Sequence, residues 1–377
     1  MNIHIKTLFG LEEILAEEVR KIGGKNVIVH KRSVSCEGDL EFLYRANYLL
    51  RTALKVLVPI HKFTARTEQQ LYDQVMKHDW SQYLTIYQTF AIDNTVFSEY
   101  FKHSQYAALK TKDAIVDQFR KKLGKRPSVD IKQPDIQFDL YAFKDQFTIS
   151  IDSSGDTLNR RGYREPGHKA PMSEVLAAGL LKLAEWDPAQ PLVDPMCGTG
   201  TILIEAALMG QNMPPQMHRD DFGFKNWKNF QPTLWQKVKS EGMSKIKKVK
   251  LNIRGGDIDG STILNVNRSL RKLKLRDAIT VRQGDMTDFK PDTSSGLLVC
   301  NPPYGERIGR DNTNEFYGLI GDTLKNNFAG FDAWILSSNM EAFKHMRLKT
   351  SKKIVLFNGP LECKFQKYEM YKGTKPE

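Results

Sequence analysis

The spacing of apolar residues changes along the chain, and the changes predict both strands and helices. Ile3 and Ile5 alternate with polar residues, as in a half-buried strand. The next apolar positions fall on one face of a helix that ends at a Gly-Gly pair. A strand over 27–36, a helix that Asp39 can cap and a further strand follow. Residues 1–65 therefore predict a small α+β domain with its own core.

Residues 66–155 predict a second α+β unit of different character. The pattern indicates a helix over 68–78, a strand over 90–97, a long basic helix, and closing strands over 136–143 and 147–151. The basic helix could contact phosphates, although runs of positive charge are also common on solvated helix faces.

The remainder of the chain predicts an α/β domain. Residues 156–170 are basic and rich in glycine and proline, which is typical of an interdomain linker. Over 171–377 strands alternate with helices, which predicts a parallel sheet with helices on both faces. Its first helix is predicted to be amphipathic, with Ser173 in position to cap it. Residues 211–232 carry several aromatic side chains in an irregular stretch, which predicts either a packed insertion or a mobile lid.

The first strand of this domain leads into a turn with two glycines. The chain runs from Leu192-Val193 through Asp194-Pro-Met-Cys-Gly-Thr-Gly to a helix that begins at Thr201. Glycines in such a turn let the backbone approach a ligand closely. The spacing Asp-x-x-x-Gly-x-Gly differs from the Gly-x-Gly-x-x-Gly of dinucleotide sites, because Leu203 stands where the third glycine would be. The turn therefore predicts a smaller ligand, with its amino-acid end near the turn and the helix N-terminus.

Four successive strands are followed by a polar side chain: Asp194, Asp257, Asp285 and Asn301. In an open α/β sheet a ligand lies beyond the carboxyl ends of the strands, so these side chains should line one cleft. Asp194 would hold an amino-acid end, Asp257 two ribose hydroxyls and Asp285 an exocyclic amine. Amino acid, ribose and adenine together describe S-adenosylmethionine. ATP fits less well, because the sequence has no Gly-x-x-x-x-Gly-Lys-Ser/Thr loop for a triphosphate.

Asn301-Pro302-Pro303-Tyr304 is the most specific motif in the chain. The amino group of a nucleobase is a weak nucleophile, because its lone pair is delocalised into the ring. The side-chain oxygen of Asn301 and the carbonyl of Pro302 could accept its two N–H bonds, and neither proline carries a competing N–H donor. Tyr304 could stack on a base extruded from its helix. The motif therefore predicts methyl transfer to an amino group by orientation and hydrogen bonding.

The net positive charge of the chain indicates which kind of partner it binds. Lysine and arginine number 56 against 44 for aspartate and glutamate, which gives a net charge of +12. Positive charge that clusters on a helix and a linker suits a polyanion. The candidates for phosphate contact are Lys110, Lys112, Arg120, Lys121, Arg160, Arg161 and Arg164. Three neighbouring aromatic residues could stack on unpaired bases or be buried in a core: Tyr100, Phe101 and Tyr106.

Several classes are not indicated. The N-terminus lacks the apolar core of a signal peptide, and no apolar run reaches the ~18 residues of a membrane helix. The cysteines do not have Cys-x-x-Cys spacing, so neither a zinc site nor a disulfide framework is expected. The composition favours a cytoplasmic protein without a metal centre.

Taken together, the motifs resemble those of class I methyltransferases that modify amino groups of RNA bases. The matching segments are Asp194-Pro-Met-Cys-Gly-Thr-Gly-Thr201, Gly256-Asp-Ile-Asp259, Gly284-Asp-Met286 and Asn301-Pro-Pro-Tyr-Gly-Glu-Arg307. Two further segments, Phe9-Gly-Leu-Glu-Glu-Ile-Leu-Ala-Glu-Glu18 and Asn159-Arg-Arg-Gly-Tyr-Arg164, resemble the bacterial THUMP-domain branch. Members of that branch methylate guanine N2 in large-subunit ribosomal RNA.

The resemblance covers nearly the whole chain and implies its organisation. It implies a ferredoxin-like domain over 1–65, a THUMP RNA-binding domain over 66–155, a linker over 156–170 and a Rossmann-like methyltransferase domain over 171–377. Some members carry a second, C-terminal methyltransferase domain, and its activity is not expected of this chain.

The resemblance also implies a cofactor and a reaction. S-adenosylmethionine would be held by Asp194, Met196, Cys197, Gly198, Gly200, Thr201, Asp257, Ile258, Asp285, Met286 and Asn301. Asn301, Pro302 and Tyr304 would be catalytic, and the product would be guanine methylated on N2 in 23S ribosomal RNA. The Asn-Pro-Pro-Tyr motif also occurs in adenine-N6 enzymes. An adenine-N6 or a tRNA guanine-N2 methyltransferase of the same fold therefore stays open, as does a non-catalytic RNA-binding or ribosome assembly factor.

Overall fold

The structure is a computed structural model that describes residues 1–164, 172–303 and 310–371. These residues form two compact units. Unit 1 comprises Met1–Thr7, Ala16–Arg160 and Arg219–Ser240, and unit 2 comprises Leu8–Leu15, Arg161–His218 and Glu241–Glu377. Each unit is therefore assembled from separate stretches of the chain. Within the described ranges, no helix is both long enough and apolar enough to cross a lipid bilayer.

Unit 1 is built on one sheet. Its elements are β1 (Asn2–Lys6), α1 (Glu12–Lys21), β2 (Lys25–His30), β3 (Ser33–Glu37), α2 (Leu40–Leu49), β4 (Lys55–Thr64), α3 (Glu68–Lys77), β5 (Thr89–Phe97), α4 (Ser104–Leu123), β6 (Ser128–Val129), β7 (Ile136–Phe143) and β8 (Gln146–Asp152), although the first turn of α1 belongs to unit 2. The eight strands have the order β2-β3-β1-β4-β8-β7-β5-β6. β5 is parallel to β6 and β7, and the other pairs are antiparallel.

The elements predicted over residues 1–65 are mostly confirmed. Asp39 caps α2, because its side chain accepts a 2.8 Å hydrogen bond from the N–H of Phe42. The single strand predicted over 27–36 is wrong, since this stretch is the hairpin β2–β3. The chain reverses at Arg32, whose φ of 60° lies in the left-handed region.

β4 joins the two predicted N-terminal domains in the same sheet. It pairs with β1 on one side and with β8 on the other. Helices α3 and α4 pack against each other over one face of the β8–β7–β5 part. Trp80 and Phe138 meet there edge to face, with ring centroids 5.4 Å apart in the buried core. The opposite face of these strands is not covered by either helix.

The aromatic insertion is packed within unit 1. Phe222 and Phe224 are buried and stack with their ring centroids 5.2 Å apart. Phe224 also contacts Tyr44 of α2 at 4.6 Å and Trp235 at 5.1 Å. These contacts favour the packed insertion over the mobile lid, and they explain why residues 219–240 belong to unit 1.

Unit 2 is an α/β domain with a mainly parallel sheet. Its elements are α5 (Glu174–Leu183), β9 (Leu192–Asp194), α6 (Thr201–Gly210), β10 (Ile253–Asp257), α8 (Gly260–Leu273), β11 (Ile279–Gln283), β12 (Gly296–Cys300), α9 (Arg310–Asn327), β13 (Phe331–Ser337), α10 (Ala342–His345), β14 (Lys352–Asn358) and β15 (Leu361–Glu369), and α7 (Pro232–Ser244) begins in unit 1. The strand order is β11-β10-β9-β12-β13-β15-β14. β15 is antiparallel to both neighbours, so a hairpin of β14 and β15 ends the sheet.

α5 differs from the amphipathic helix that the sequence predicts. Residues 174–181 are all buried, because α5 packs against α6 on one side and receives Leu11 beside Gly179 on another. Ser173 occupies the predicted cap position, but its hydroxyl makes no capping hydrogen bond.

Candidate functional site

The strand order of unit 2 locates the site. β9 lies in the middle of the sheet, between β10 and β12. From β9 the chain adds β10 and β11 in one direction, and then β12 and β13 in the other. Open α/β sheets bind ligands at such a switch point, beyond the carboxyl ends of the strands.

The four polar residues predicted to share a cleft lie at this edge. Asp194 and Asp257 are the last residues of β9 and β10. Asp285 lies just beyond β11, and Asn301 follows β12 directly. The four strands are parallel neighbours, so their carboxyl ends fall on the same side of the sheet.

The glycine turn has two glycines with different tasks. Gly198 and Gly200 have φ values of 50° and 70°, in the left-handed region that favours glycine. A Cβ atom on Gly200 would lie 2.9 Å from Val266 of α8, so close packing requires this glycine. A Cβ atom on Gly198 would meet nothing within 4 Å. The backbone at Gly198 therefore faces open space that a ligand can use.

Asp257 connects β10 to this turn. Its Oδ2 accepts a 2.9 Å hydrogen bond from the N–H of Gly198, and its Oδ1 accepts a 3.0 Å bond from the N–H of Asp259. A carboxylate offers about four lone-pair sites, so each oxygen can still accept a bond from a ligand hydroxyl. The carboxylate is thus oriented by the backbone and keeps acceptor capacity for two hydroxyls.

Asp194 is a buried carboxyl group beneath the turn. It is 2% exposed, and its Oδ1 accepts a 3.2 Å bond from the N–H of Met196. Burial raises the pKa of Asp194 to about 7, while Met196 and the Cys300 thiol lower it and nearby Asp257 raises it further. Burial also raises the pKa values of Cys197 and Cys300 well above the ordinary range. Both groups are therefore thiols, which agrees with a packing role and not with a nucleophile.

Three residues beyond β10 and β11 have different environments. The side chain of Ile258 is 69% exposed although it is apolar. Asp285 is exposed, and its Oδ1 accepts 2.8 Å bonds from both the N–H and the hydroxyl of Thr287. The side chain of Met286 is buried in the hydrophobic core beneath the sheet edge. The side chain of Met286 is therefore part of the core and offers no surface to a ligand.

The remaining predicted cofactor and catalytic residues are described in part. Thr201 begins α6 and is buried, with its hydroxyl 3.0 Å from that of Thr199. Asn301 is half-buried and Pro302 is buried at the end of β12. Tyr304 lies outside the described residues.

The basic residues predicted on α4 lie at its surface. Lys110 Nζ sits 5.3 Å above the ring of Tyr72. Lys112 and Arg120 form ion pairs with Asp113 at 2.7 Å and Asp117 at 3.1 Å. Lys121 is exposed. Contact between these side chains and RNA stays a prediction.

The three arginines of residues 160–164 are not equivalent. Arg160 is exposed and forms an ion pair with Asp156 at 3.3 Å. Arg161 is fully buried, and its Nη1 donates a 2.6 Å bond to Glu205 of α6. This burial leaves Arg161 no surface for a phosphate. The prediction that Arg161 contacts RNA is therefore wrong. Arg164 is partly buried, and its Nε lies 3.0 Å from Oε1 of Glu174 in α5, so this arginine is also paired with an acidic side chain.

Sequence reasoning missed the two acidic partners. Glu205 accepts a second bond, 2.8 Å, from the hydroxyl of Tyr163, so segment 161–164 is fastened to the helix that follows the glycine turn. Burial raises the pKa of Glu174 to about 7, although Arg164 opposes the shift. The sequence did contain one sign of a buried ion pair, because Glu205 is the single charged residue of the apolar helix Thr201–Gly210.

The fold and the site together define a Rossmann-like class I methyltransferase, a class that uses S-adenosylmethionine. Residues 161–367 match the family described as the RMKL-like methyltransferase domain, and the chain belongs to this family. Residues 65–152 match the THUMP domain, and residues 2–57 match the RlmL ferredoxin-like domain. The predicted family, fold class and cofactor are confirmed. Among the residues that the structure describes, no cluster of potential metal ligands is present.

Three similar proteins extend the comparison. A protein of Synechocystis sp., provisionally named an RNA methyltransferase, is 36% identical over 96% of this chain and 95% of its own length. The ribosomal RNA large subunit methyltransferase K/L of Syntrophotalea carbinolica is 37% identical over 96% of this chain, which spans 52% of that relative. The crystal structure of SMU.472, provisionally named a methyltransferase and solved with SAH, matches with a TM-score of 0.88 and 28% identity over 99% of both chains.

Proposed function

We propose that this chain transfers a methyl group from S-adenosylmethionine to N2 of a guanine in 23S ribosomal RNA. The observation that carries the proposal is the position of Asn301 and Pro302, directly after β12 and beside the strand that leads into the glycine turn. An amide oxygen and a proline carbonyl can accept both N–H bonds of an exocyclic amino group. The large-subunit substrate is supported by the name of the K/L relative, and it implies a cytoplasmic location.

The residues at the switch point fit S-adenosylmethionine, which supplies an electrophilic sulfonium methyl group when it is bound. The open space at Gly198 admits a ligand to the backbone of the turn. Asp257 keeps acceptor sites for two ribose hydroxyls. The exposed apolar side chain of Ile258 can cover one face of an adenine ring. The buried carboxyl group of Asp194 can accept a hydrogen bond from the ammonium group of an amino acid.

In the proposed reaction the protein orients the acceptor base. Asn301 and Pro302 accept hydrogen bonds from guanine N2 and keep its lone pair directed at the methyl carbon. That lone pair forms the new N–C bond while the S–CH₃ bond breaks, and the electron pair of the broken bond stays on sulfur. The methylated nitrogen then loses one proton to water. Positioning and preorganised hydrogen bonds supply the rate enhancement without a strong base.

The test uses the purified chain, unmodified 23S ribosomal RNA and S-adenosylmethionine with an isotopically labelled methyl group. After digestion to nucleosides, mass spectrometry should find the label in N2-methylguanosine. Label in N6-methyladenosine would replace the guanine assignment with the adenine one. Transfer to tRNA but not to 23S RNA would change the substrate. Bound cofactor without transfer to any RNA would favour an assembly factor.

A further inference from the structure

One face of the unit 1 sheet carries three exposed aromatic rings. Phe97 of β5 and Phe143 of β7 are direct partners in the parallel register, and their side chains are 61% and 52% exposed. Tyr141 precedes Phe143 by two residues and is 41% exposed. Side chains two residues apart in a strand point to the same face, and neighbouring strands lie about 4.8 Å apart. The three rings therefore form one surface, here called the aromatic patch (Phe97, Tyr141 and Phe143).

Buried and exposed side chains alternate along β7, so the exposed rings belong to a regular strand and not to a frayed end. Leu140 and Ala142 point to the opposite face and are fully buried beneath α3 and α4. Outward positions of a sheet with one covered face are ordinarily polar. Exposed apolar residues that are contiguous, and not scattered singly, mark binding surfaces.

Two lysines border the aromatic patch. The N–H of Lys144 donates a 2.8 Å bond to the carbonyl of Phe97, and its Nζ lies 5.7 Å from the ring centroid of Phe143. Lys62 of β4 is exposed and is in register with Thr148 of β8, which is in register with Tyr141. Register partners share a face, so Lys62 and the aromatic patch lie on the same side of the sheet.

Three aspartates near the patch lie beside basic side chains. Asp139 binds Lys6 at 2.5 Å, and Asp93 lies 3.3 Å from Lys55. Asp145, in the turn after Lys144, is paired with Arg66 at 2.9 Å. The local surface thus combines flat apolar rings with bordering ammonium groups.

We propose that the aromatic patch is a stacking platform for unpaired RNA bases, which rests on the proposed function of the chain as an RNA methyltransferase. Each base has a π-face that stacks on an aromatic ring, and its phosphate can meet a lysine at the border. Open sheets that recognise single-stranded RNA use exposed aromatic side chains in this way. The platform is separate from the basic residues of α4, because α4 covers the other face of the same strands.

The test is fluorescence anisotropy of the full chain with a labelled single-stranded RNA of ten nucleotides and mixed sequence. Tyr141→Ala and Phe143→Ala should each weaken binding roughly five- to hundredfold, the range for loss of one stacked base. Phe143→Trp should retain the affinity of the wild type. The matched control is Tyr87→Ala, which removes an aromatic ring that is 89% exposed elsewhere in unit 1. The same RNA annealed to its complement should bind the wild type and Phe143→Ala equally.

Wild-type affinity in both patch variants, or an equal loss in Tyr87→Ala, would overturn the platform. A shift of oligomeric state in sedimentation velocity without any effect on RNA would assign the face to self-association instead. The methyl-transfer assay separates this proposal from the function on which it rests. Patch variants that bind RNA normally while the wild type methylates RNA would refute the platform alone. Loss of binding in the patch variants of a chain that methylates no RNA would refute the function alone.

Discussion

The N–H of Gly198 donates a 2.9 Å hydrogen bond to Oδ2 of Asp257, and this bond joins the glycine turn after β9 to the end of β10. The two residues lie 59 positions apart in the sequence. Because Asp259 holds the other carboxylate oxygen, the side chain of Asp257 is oriented before any ligand binds. A preoriented acceptor loses less conformational entropy when it binds a ligand.

The first prediction concerns this carboxylate. Asp257→Asn replaces one acceptor oxygen with an NH₂ group. This group only donates hydrogen bonds, so it cannot accept one from the N–H of Gly198 or Asp259 or from a ribose hydroxyl. We expect the affinity for S-adenosylmethionine to fall by about ten- to a hundredfold, as for loss of a hydrogen bond to a charged group. Isothermal titration calorimetry measures the change. Asp259→Asn, which alters the neighbouring cap of α8, is the control and should bind the cofactor normally. Equal affinity of Asp257→Asn and the wild type would refute the role given to Asp257.

The second prediction concerns the acceptor. Asn301→Ala removes one of the two acceptors for the amino group, so the rate of methyl transfer should fall by about 10²- to 10³-fold. Affinity for the cofactor should change much less than the rate. Single-turnover transfer to RNA gives the rate, and calorimetry gives the affinity. Asn326→Ala, at an exposed position of α9, should have no effect. Undiminished transfer by Asn301→Ala would exclude the proposed chemistry.

The third prediction concerns pH and stability. Burial raises the pKa of Asp194 from 3.8 to about 7. At pH values between these two, Asp194 is protonated in the folded chain and ionised in the unfolded chain. This contribution to stability is complete below about pH 4 and is lost as the pH rises through 7. The free energy of unfolding should therefore fall by about 2–3 kcal/mol between pH 5 and pH 7 because of this group. Glu174, whose pKa is also raised to about 7, acts in the same direction.

Chemical denaturation at several pH values tests this expectation. Asp194→Asn and Glu174→Gln should each remove part of the pH dependence, because neither amide titrates. The two parts should add if the groups act independently. An unchanged slope in Asp194→Asn would show that Asp194 is ionised in the folded chain at pH 5.

The fourth prediction concerns the buried ion pair between Arg161 and Glu205. Glu205→Ala leaves a guanidinium group buried without its partner, which should cost about 3–5 kcal/mol of stability. Replacing both residues, as in the double variant Arg161→Met with Glu205→Leu, should recover much of that loss. Thermal or chemical unfolding measures each variant. Glu341→Ala breaks an exposed pair with Lys344 and should leave stability unchanged. A double variant no more stable than Glu205→Ala would contradict this account.

The sequence predicted what depends on local spacing. The glycine turn and the residues after four strands could be placed, because a parallel sheet brings strand ends together regardless of the intervening loops. The helix cap at Asp39 could also be predicted, because Asp39 and its hydrogen-bond donor Phe42 are only three residues apart. The burial of Arg161 could not be predicted, since its partner Glu205 follows 44 positions later and arginines within a basic linker are ordinarily solvated. The choice between lid and packed insertion depended on Tyr44, which lies far from Phe224 in the sequence.

The division of each unit among separate stretches of chain has a consequence for synthesis on the ribosome. Tyr44 and Tyr48 are translated before Trp235, whose ring centroid lies 5.9 Å and 5.4 Å from theirs in the folded unit 1. About 80 residues separate the main body of unit 1 from the end of its last stretch, which corresponds to roughly 4–16 s of translation. For that interval the nascent chain exposes an aromatic surface that its own later residues will cover. Helix α2 can therefore complete its packing only after translation has passed residue 240.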